Sequence, residues 1–197
     1  MMNKQTVIVI GAGAGVDIDM PVGSKLAGEI AEDTNFRTDA GKRLGGDERV
    51  WAASVQMAKL VGIDQSSTLV AGRSIARGIT YAQSIDNYVH AHSDKEIIKI
   101  VAKNAIVHRI LEAERNSALF IDPSARGLFK KEEKVSQSWL QPFFTTLQDG
   151  IVEADNLENI FDNLSIINFN YDRCIEHFLF KRCSVYIRAK ELDTWPA

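Results

Sequence analysis

Three glycines at alternate positions, Gly11, Gly13 and Gly15, close an apolar run in "VIVIGAGAGVDIDMPVG", residues 7 to 23. Bare backbone lets a ligand come close, and a helix starting just beyond would offer free N–H groups to a phosphate. Far along the chain, "INFNYD" at 167 to 172 alternates Asn168, Asn170 and Asp172 with Phe169 and Tyr171. One of these polar residues is enough for a helix cap, and three point to a polar pocket floor. Ligands of open α/β sheets bind at the carboxyl ends of strands, so the two turns are expected side by side.

The elements that must position them follow from the pattern. Residues 5 to 10, "QTVIVI", and 164 to 169, "LSIINF", read as strands buried on both faces, as in a parallel sheet. "GSKLAGEIAED" reads as a helix with Ser24 as its N-cap. Residues 34 to 150 are mostly helical, with a stripe at Val50, Ala53, Met57, Leu60 and Val61. A second stripe runs through Ile97, Ile98, Val101 and Ala105, widened by Ala102 and Ile106. A further amphipathic stretch, "SQSWLQPFFTTLQDG", carries a break at Pro142 and a stop at Gly150. "SVYI" at 184 to 187 is the candidate for a third strand. The fold class expected is α/β: a Rossmann-like parallel core (1–33 and 160–197) with a long helical insert (34–159), forming one compact unit. Two convincing strands leave that sheet incomplete.

With 197 residues, 45% hydrophobic and 25% charged, the composition is that of an ordinary globular protein. A net charge of −3 argues against a broad nucleic-acid footprint, and no apolar stretch reaches the length of a membrane span. The N-terminus does not read as a secretion signal. Cys174 and Cys183 fit neither a zinc spacing nor a disulfide framework, which points to a reducing cytoplasm.

The Rossmann fingerprint wants glycine where Val16 stands, and the ribose-binding acid would be Glu32 or Asp33, at a helix end. A dinucleotide-dependent oxidoreductase is therefore disfavoured. No Gly-Lys-Ser/Thr follows, so this is no P-loop. Pro21 and Gly23 read as a rigid loop over a bound cofactor.

"VIGAGAGVDIDMPVG" followed much later by "IINFNYDRCIEHFL" resembles the sirtuin-like (silent information regulator 2-like) family, in its bacterial NAD-cleaving branch of anti-phage defence. The likeness covers roughly 5 to 30 and 162 to 180, and "SIDNYV" at 84 to 89 matches more loosely. It implies an NAD site in which Gly11, Ala12, Gly13 and Ala14 cradle the diphosphate and Pro21 follows. Asn170 would hold the nicotinamide ribose and the attacking water. Asp172, with the backbone of Tyr171, would grip the nicotinamide amide, and Asp86 would face the cleft. The implied reaction cleaves the nicotinamide–ribose bond through an oxocarbenium-like transition state, with Asn170 and Asp172 as catalytic residues. NAD is the substrate or ligand, and no metal is implied.

The family's downstream histidine, a general base, has no counterpart. His177 lies five residues past Asp172, and no His-Gly occurs. From about Lys181 the pattern departs from the family, as a truncated or frame-shifted reading frame would. Asp86, His90 and Asp94 share one helical face, read as a solvated surface rather than a metal site. His108 reads as a packed residue. The other class of function is a non-catalytic assembly or regulatory module, which keeps the fold and works through a homo-oligomer or a further C-terminal domain. The deacetylase branch needs four zinc cysteines, and this chain has two.

Overall fold

A computed structural model describes residues 4–39, 42–122, 129–149 and 159–193. In order these form β1 (Thr6–Ile10), a 3-10 helix (Ala12–Ile18), α1 (Gly23–Thr34), β2 (Arg37–Asp39), β3 (Lys42–Gly45), α2 (Glu48–Leu60) and α3 (Gln65–Gly78). A 3-10 turn (Ile79–Tyr81), α4 (Ile85–Ala91), α5 (Glu96–Asn116), α6 (Glu132–Gln137), α7 (Leu140–Gln148), β4 (Leu164–Asn168) and α8 (Cys174–Asp193) follow. The chain is mostly helical with a small parallel sheet. It divides into two compact units, Met1–Met20 with Ala113–Ala197, and Pro21–Glu112. The division thus falls after Met20 and before Ala113, not at 33 and 160. α1 packs on α3 in the second unit, while α6 and α7 contribute to the core of the first.

In the first unit β1 and β4 pair in parallel, from Thr6 opposite Leu164 to Ile10 opposite Asn168. Ile8, Ile10, Leu164 and Ile166 point into a core of Phe144, Leu140, Leu147 and Phe178. The other face is open: Val7 and Val9 are 61% and 63% exposed and Ile167 47%. Burial on both faces therefore does not hold, and the strands alternate in and out with period two. α8 runs unbroken through 184–187, so "SVYI" is helix and not a third strand. Just past Lys181 the helix is still packed: Arg182 pairs with Glu132 and lies over the rings of Phe129 and Phe178 at 5.3 and 5.7 Å, and Cys183 and Tyr186 pack on the core. Pro142 sits in the first turn of α7, where its missing N–H costs nothing, and the break comes earlier, at Ser138 and Trp139. Gly150 lies outside the described residues.

The second unit is built around Phe36, fully buried and edge-on to Trp51 with ring centroids 4.9 Å apart. Two glycines make its slot. A Cβ on Gly46, whose φ is +78°, would come within 2.5 Å of Phe36 Cδ1, and one on Gly72 within 2.2 Å of Cδ2. β2 and β3 form a separate antiparallel hairpin in a stretch expected to be helical. α2 buries Val50, Ser54 and Ala58, and Ser54 Oγ accepts from Asn104 Nδ2 at 3.1 Å. Met57, Leu60 and Val61 of the expected stripe face outward, and Ala53 is exposed as well. The α5 stripe is as read, with Ile98, Val101, Ala102 and Ala105 buried and Ile97 and Ile106 partly so.

Two helical glycines give opposite expectations. Glycine inside a helix normally costs about 0.5–1 kcal/mol relative to alanine. At Gly28 a Cβ meets nothing within 4 Å, so Gly28→Ala should stabilise by about that amount. At Gly72 the new atom strikes Phe36 and the Thr34 carbonyl oxygen (2.6 Å), so Gly72→Ala should destabilise by about 1–3 kcal/mol. Urea denaturation of both variants checks this; equal shifts would contradict the slot.

Candidate functional site

The strand register sets where the two turns meet. Phe169 N–H donates to the Ile10 carbonyl at 2.9 Å, extending the ladder past β4. One residue further, Asn170 Nδ2 donates to the Gly11 carbonyl at 3.3 Å. The glycine segment and the polar turn therefore lie side by side at the carboxyl ends of β1 and β4.

The glycine segment is a 3-10 helix, not a loop. Its first bond runs from Ala14 N–H to the Gly11 carbonyl at 2.9 Å. Asp19 ends it in the left-handed region, φ 68°, a conformation that aspartate tolerates better than most side chains. Its carboxylate accepts from Lys131 Nζ at 2.5 Å and also from Lys134. Trp139 Nε1 donates to the Ala14 carbonyl at 2.7 Å, fastening the helix to the core. None of the three glycines has positive φ, so left-handed freedom is not their use. Gly15 is needed for packing, since a Cβ there would lie 2.7 Å from Met20 Cβ. At Gly11 and Gly13 an added Cβ meets nothing within 4 Å. Their bareness serves no contact within the described chain.

The polar turn divides its work. Asn168 Oδ1 accepts from Asn170 N–H at 3.1 Å, an Asx turn. Asp172 Oδ1 accepts from Cys174 N–H at 3.0 Å, and Glu114 Oε1 from Arg173 N–H at 2.8 Å. Asp172 is thus a helix cap, and the pocket-floor role expected of all three polar residues narrows to Asn170. Phe169 is 74% exposed. Burial, reinforced by Asp172, pushes the Cys174 thiol far up, so it is no nucleophile near neutrality. His177 lies edge-on to Phe129; burial keeps its pKa below the usual histidine value, against the pull of the Leu119 backbone.

Pro21 and Asp86 belong to the second unit. Pro21 precedes α1, whose N-cap is Val22 rather than Ser24. Asp86 is exposed in the first turn of α4, which Ser84 caps by accepting from Asn87 N–H at 3.2 Å. α4 ends at Ala91, so Asp94 does not share its face with Asp86 and His90.

Asp33, the proposed ribose acid, has another job. It is 5% exposed, and its two oxygens accept from Arg109 Nε at 2.6 Å and Nη2 at 2.5 Å. Burial pushes its carboxyl up, against the pull of that guanidinium. Asp47 caps α2 through Arg49 N–H (2.8 Å) and Val50 N–H (3.1 Å), and His108 Nε2 stands 3.6 Å from its Oδ2. Asp33, Asp47 and His108 are close enough to share a cation, but Arg109 already supplies positive charge there. The cluster ties α1, α2 and α5 together. One signal for it was readable: an acid at a helix C-terminus opposes the dipole and wants a cation.

No family model, no curated protein and no solved structure matches the chain.

The lock on Asp19 has a pH signature. Its bonds to Lys131 and Lys134 hold its carboxyl below the ordinary aspartate range. The folded pKa is the lower one, so this stabilisation is complete above the unfolded pKa and lost as pH falls through the depressed value. Asp19→Asn tolerates the same backbone without the charge. It should cost about 0.5–1 kcal/mol at neutral pH, the partly exposed lysines being screened by solvent. Urea titrations should show the gap to the parent closing below about pH 4. A gap independent of pH would contradict the ion pairs.

Proposed function

We propose that the first unit binds NAD or ADP-ribose, as a sirtuin-like domain of the NAD-hydrolysing kind does. One observation carries this reading: the Asn170 carboxamide rests on the Gly11 carbonyl, beside two glycines where an added Cβ would meet none of the described residues within 4 Å. On this reading β1 and β4 are the central pair of a Rossmann-like core. Open space at Gly11 and Gly13 admits a diphosphate to the N–H groups of Ala12 and Gly13, which precede the first donor of the 3-10 helix, Ala14 N–H. Asn170 Oδ1 has no partner among the described residues and is free to accept from a ribose hydroxyl or a water. Asp172 is a positioning residue on this reading: its bond from Cys174 N–H fixes the end of the turn that carries Asn170. Ala14 and Tyr171 contribute backbone. His177 packs edge-on against Phe129, and no histidine stands in the place of the family's general base, which favours binding with slow or no turnover.

The second reading, an assembly module, rests on the bare sheet face of Val7, Val9 and Ile167. Among the described residues the outer edges of β1 and β4 are also unpaired. A second copy or a further domain would cover them.

Calorimetry with NAD and with ADP-ribose separates the two. The NAD reading expects saturable heat, weakened at least about tenfold by Gly13→Val and by Asn170→Ala. Any nicotinamide release should vanish in Asn170→Ala and persist in His177→Ala. The assembly reading expects no heat, and a concentration-dependent sedimentation coefficient that Val9→Lys abolishes. Undiminished NAD binding in both site variants would overturn the assignment of the glycine segment.

A further inference from the structure

The second unit carries a hollow of about 550 Å³ against α3 and α4. Arg73, Ser74, Arg77 and Gly78 line it from α3, and Tyr88 and His92 from α4 and its C-terminal end. No carboxylate is among its lining residues. Arg73 and Arg77 stand one turn apart, so both guanidinium groups serve one face of α3. Arg73 is anchored by Nε, which donates to the Phe36 carbonyl at 2.8 Å, and its two Nη groups have no partner among the described residues. Arg77 is exposed and has no ion pair or hydrogen bond among them. Two like charges at this spacing repel one another, and nothing in the hollow offsets them.

The floor holds a hydroxyl pair and a stacked histidine. Tyr88 is buried, and its hydroxyl shares a hydrogen bond with Ser74 Oγ at 3.0 Å. One bond between two hydroxyls uses one hydrogen, so the other remains available to a ligand. The His92 ring stacks on Tyr88 with centroids 4.4 Å apart. Its Nδ1 lies 2.8 Å from the Tyr88 carbonyl, which can only accept, so Nδ1 carries a hydrogen. Gly78 makes room for this arrangement: a Cβ there would come within 2.5 Å of Tyr88 Cε2.

We propose that this hollow is a binding site for a small phosphate monoester, of the size of a pentose phosphate. Guanidinium groups hold phosphate oxygens through paired, charge-assisted bonds. The free hydroxyl hydrogen adds a donor from the floor. The volume lies in the range of small-molecule sites and exceeds what a bare phosphate fills. The site lies within the second unit and is independent of the NAD reading.

The test is calorimetry of the full chain with ribose 5-phosphate, with ribose and inorganic phosphate as controls. Ribose 5-phosphate should bind saturably, inorganic phosphate more weakly, and ribose not at all. Arg77→Gln, at an exposed and unpartnered position, should weaken binding at least about tenfold. Val70→Glu sets a carboxylate on the exposed rim, leaves both arginines in place and should abolish binding. Asn170→Ala should leave it unchanged, which separates this site from the glycine segment. Absence of saturable binding at about 10 mM, or undiminished binding in folded Arg77→Gln, would overturn the proposal. So would loss of binding in Asn170→Ala.

Discussion

The parallel pairing of β1 with β4 is the constraint on which the candidate site depends. Ile10 opposite Asn168 sets Phe169 N–H on the Ile10 carbonyl and carries Asn170 to Gly11. A slip of one residue would turn Ile8 and Ile10 away from the core and part the two turns. Two parallel strands alone are marginal in water. What steadies them is a single face pressed on the aromatic core of Phe144 and Phe178. The opposite face is largely uncovered, with Val7, Val9 and Ile167 each about half or more exposed.

Much of the polar chemistry noticed in the chain is spent on architecture. Asp33 holds Arg109, Asp47 caps α2, Asp172 caps α8 and Asn168 closes a turn. Each satisfies groups that would otherwise lose hydrogen bonds on burial. Asn170 differs, because one half of its carboxamide stays uncommitted. Gly11 and Gly13 differ in the same way from Gly15, Gly46 and Gly72, whose missing side chains make room for Met20 or Phe36. The functional reading rests on this contrast between explained and unexplained residues.

The strands were legible because β-branched runs end in glycine or in polar residues, and their order placed the two turns together. Their exposure was not legible. A continuous apolar run such as 7–10 reads as buried on both faces, and whether anything covers the second face is a tertiary fact. In α2 the sequence offered larger apolar residues at Met57 and Leu60, yet the chain buries Ser54, because Asn104 answers its hydroxyl. "SVYI" favours a strand by its residue types, but it continues a helix already packed through Phe178 and Arg182. The hairpin at 37–45 carries charged residues and little alternation, so no local signal marked it. In the glycine segment, the carboxylate of Asp19 is answered by Lys131 and Lys134, more than a hundred residues away.

The most direct measurement is the scalar coupling across the hydrogen bond from the Phe169 amide nitrogen to the Ile10 carbonyl carbon, by NMR of the labelled chain. The account predicts a resolved coupling and slow exchange of the Phe169 amide. A missing coupling with a freely exchanging amide would mean that the strands do not meet in this register, and the site at their ends would be lost with it.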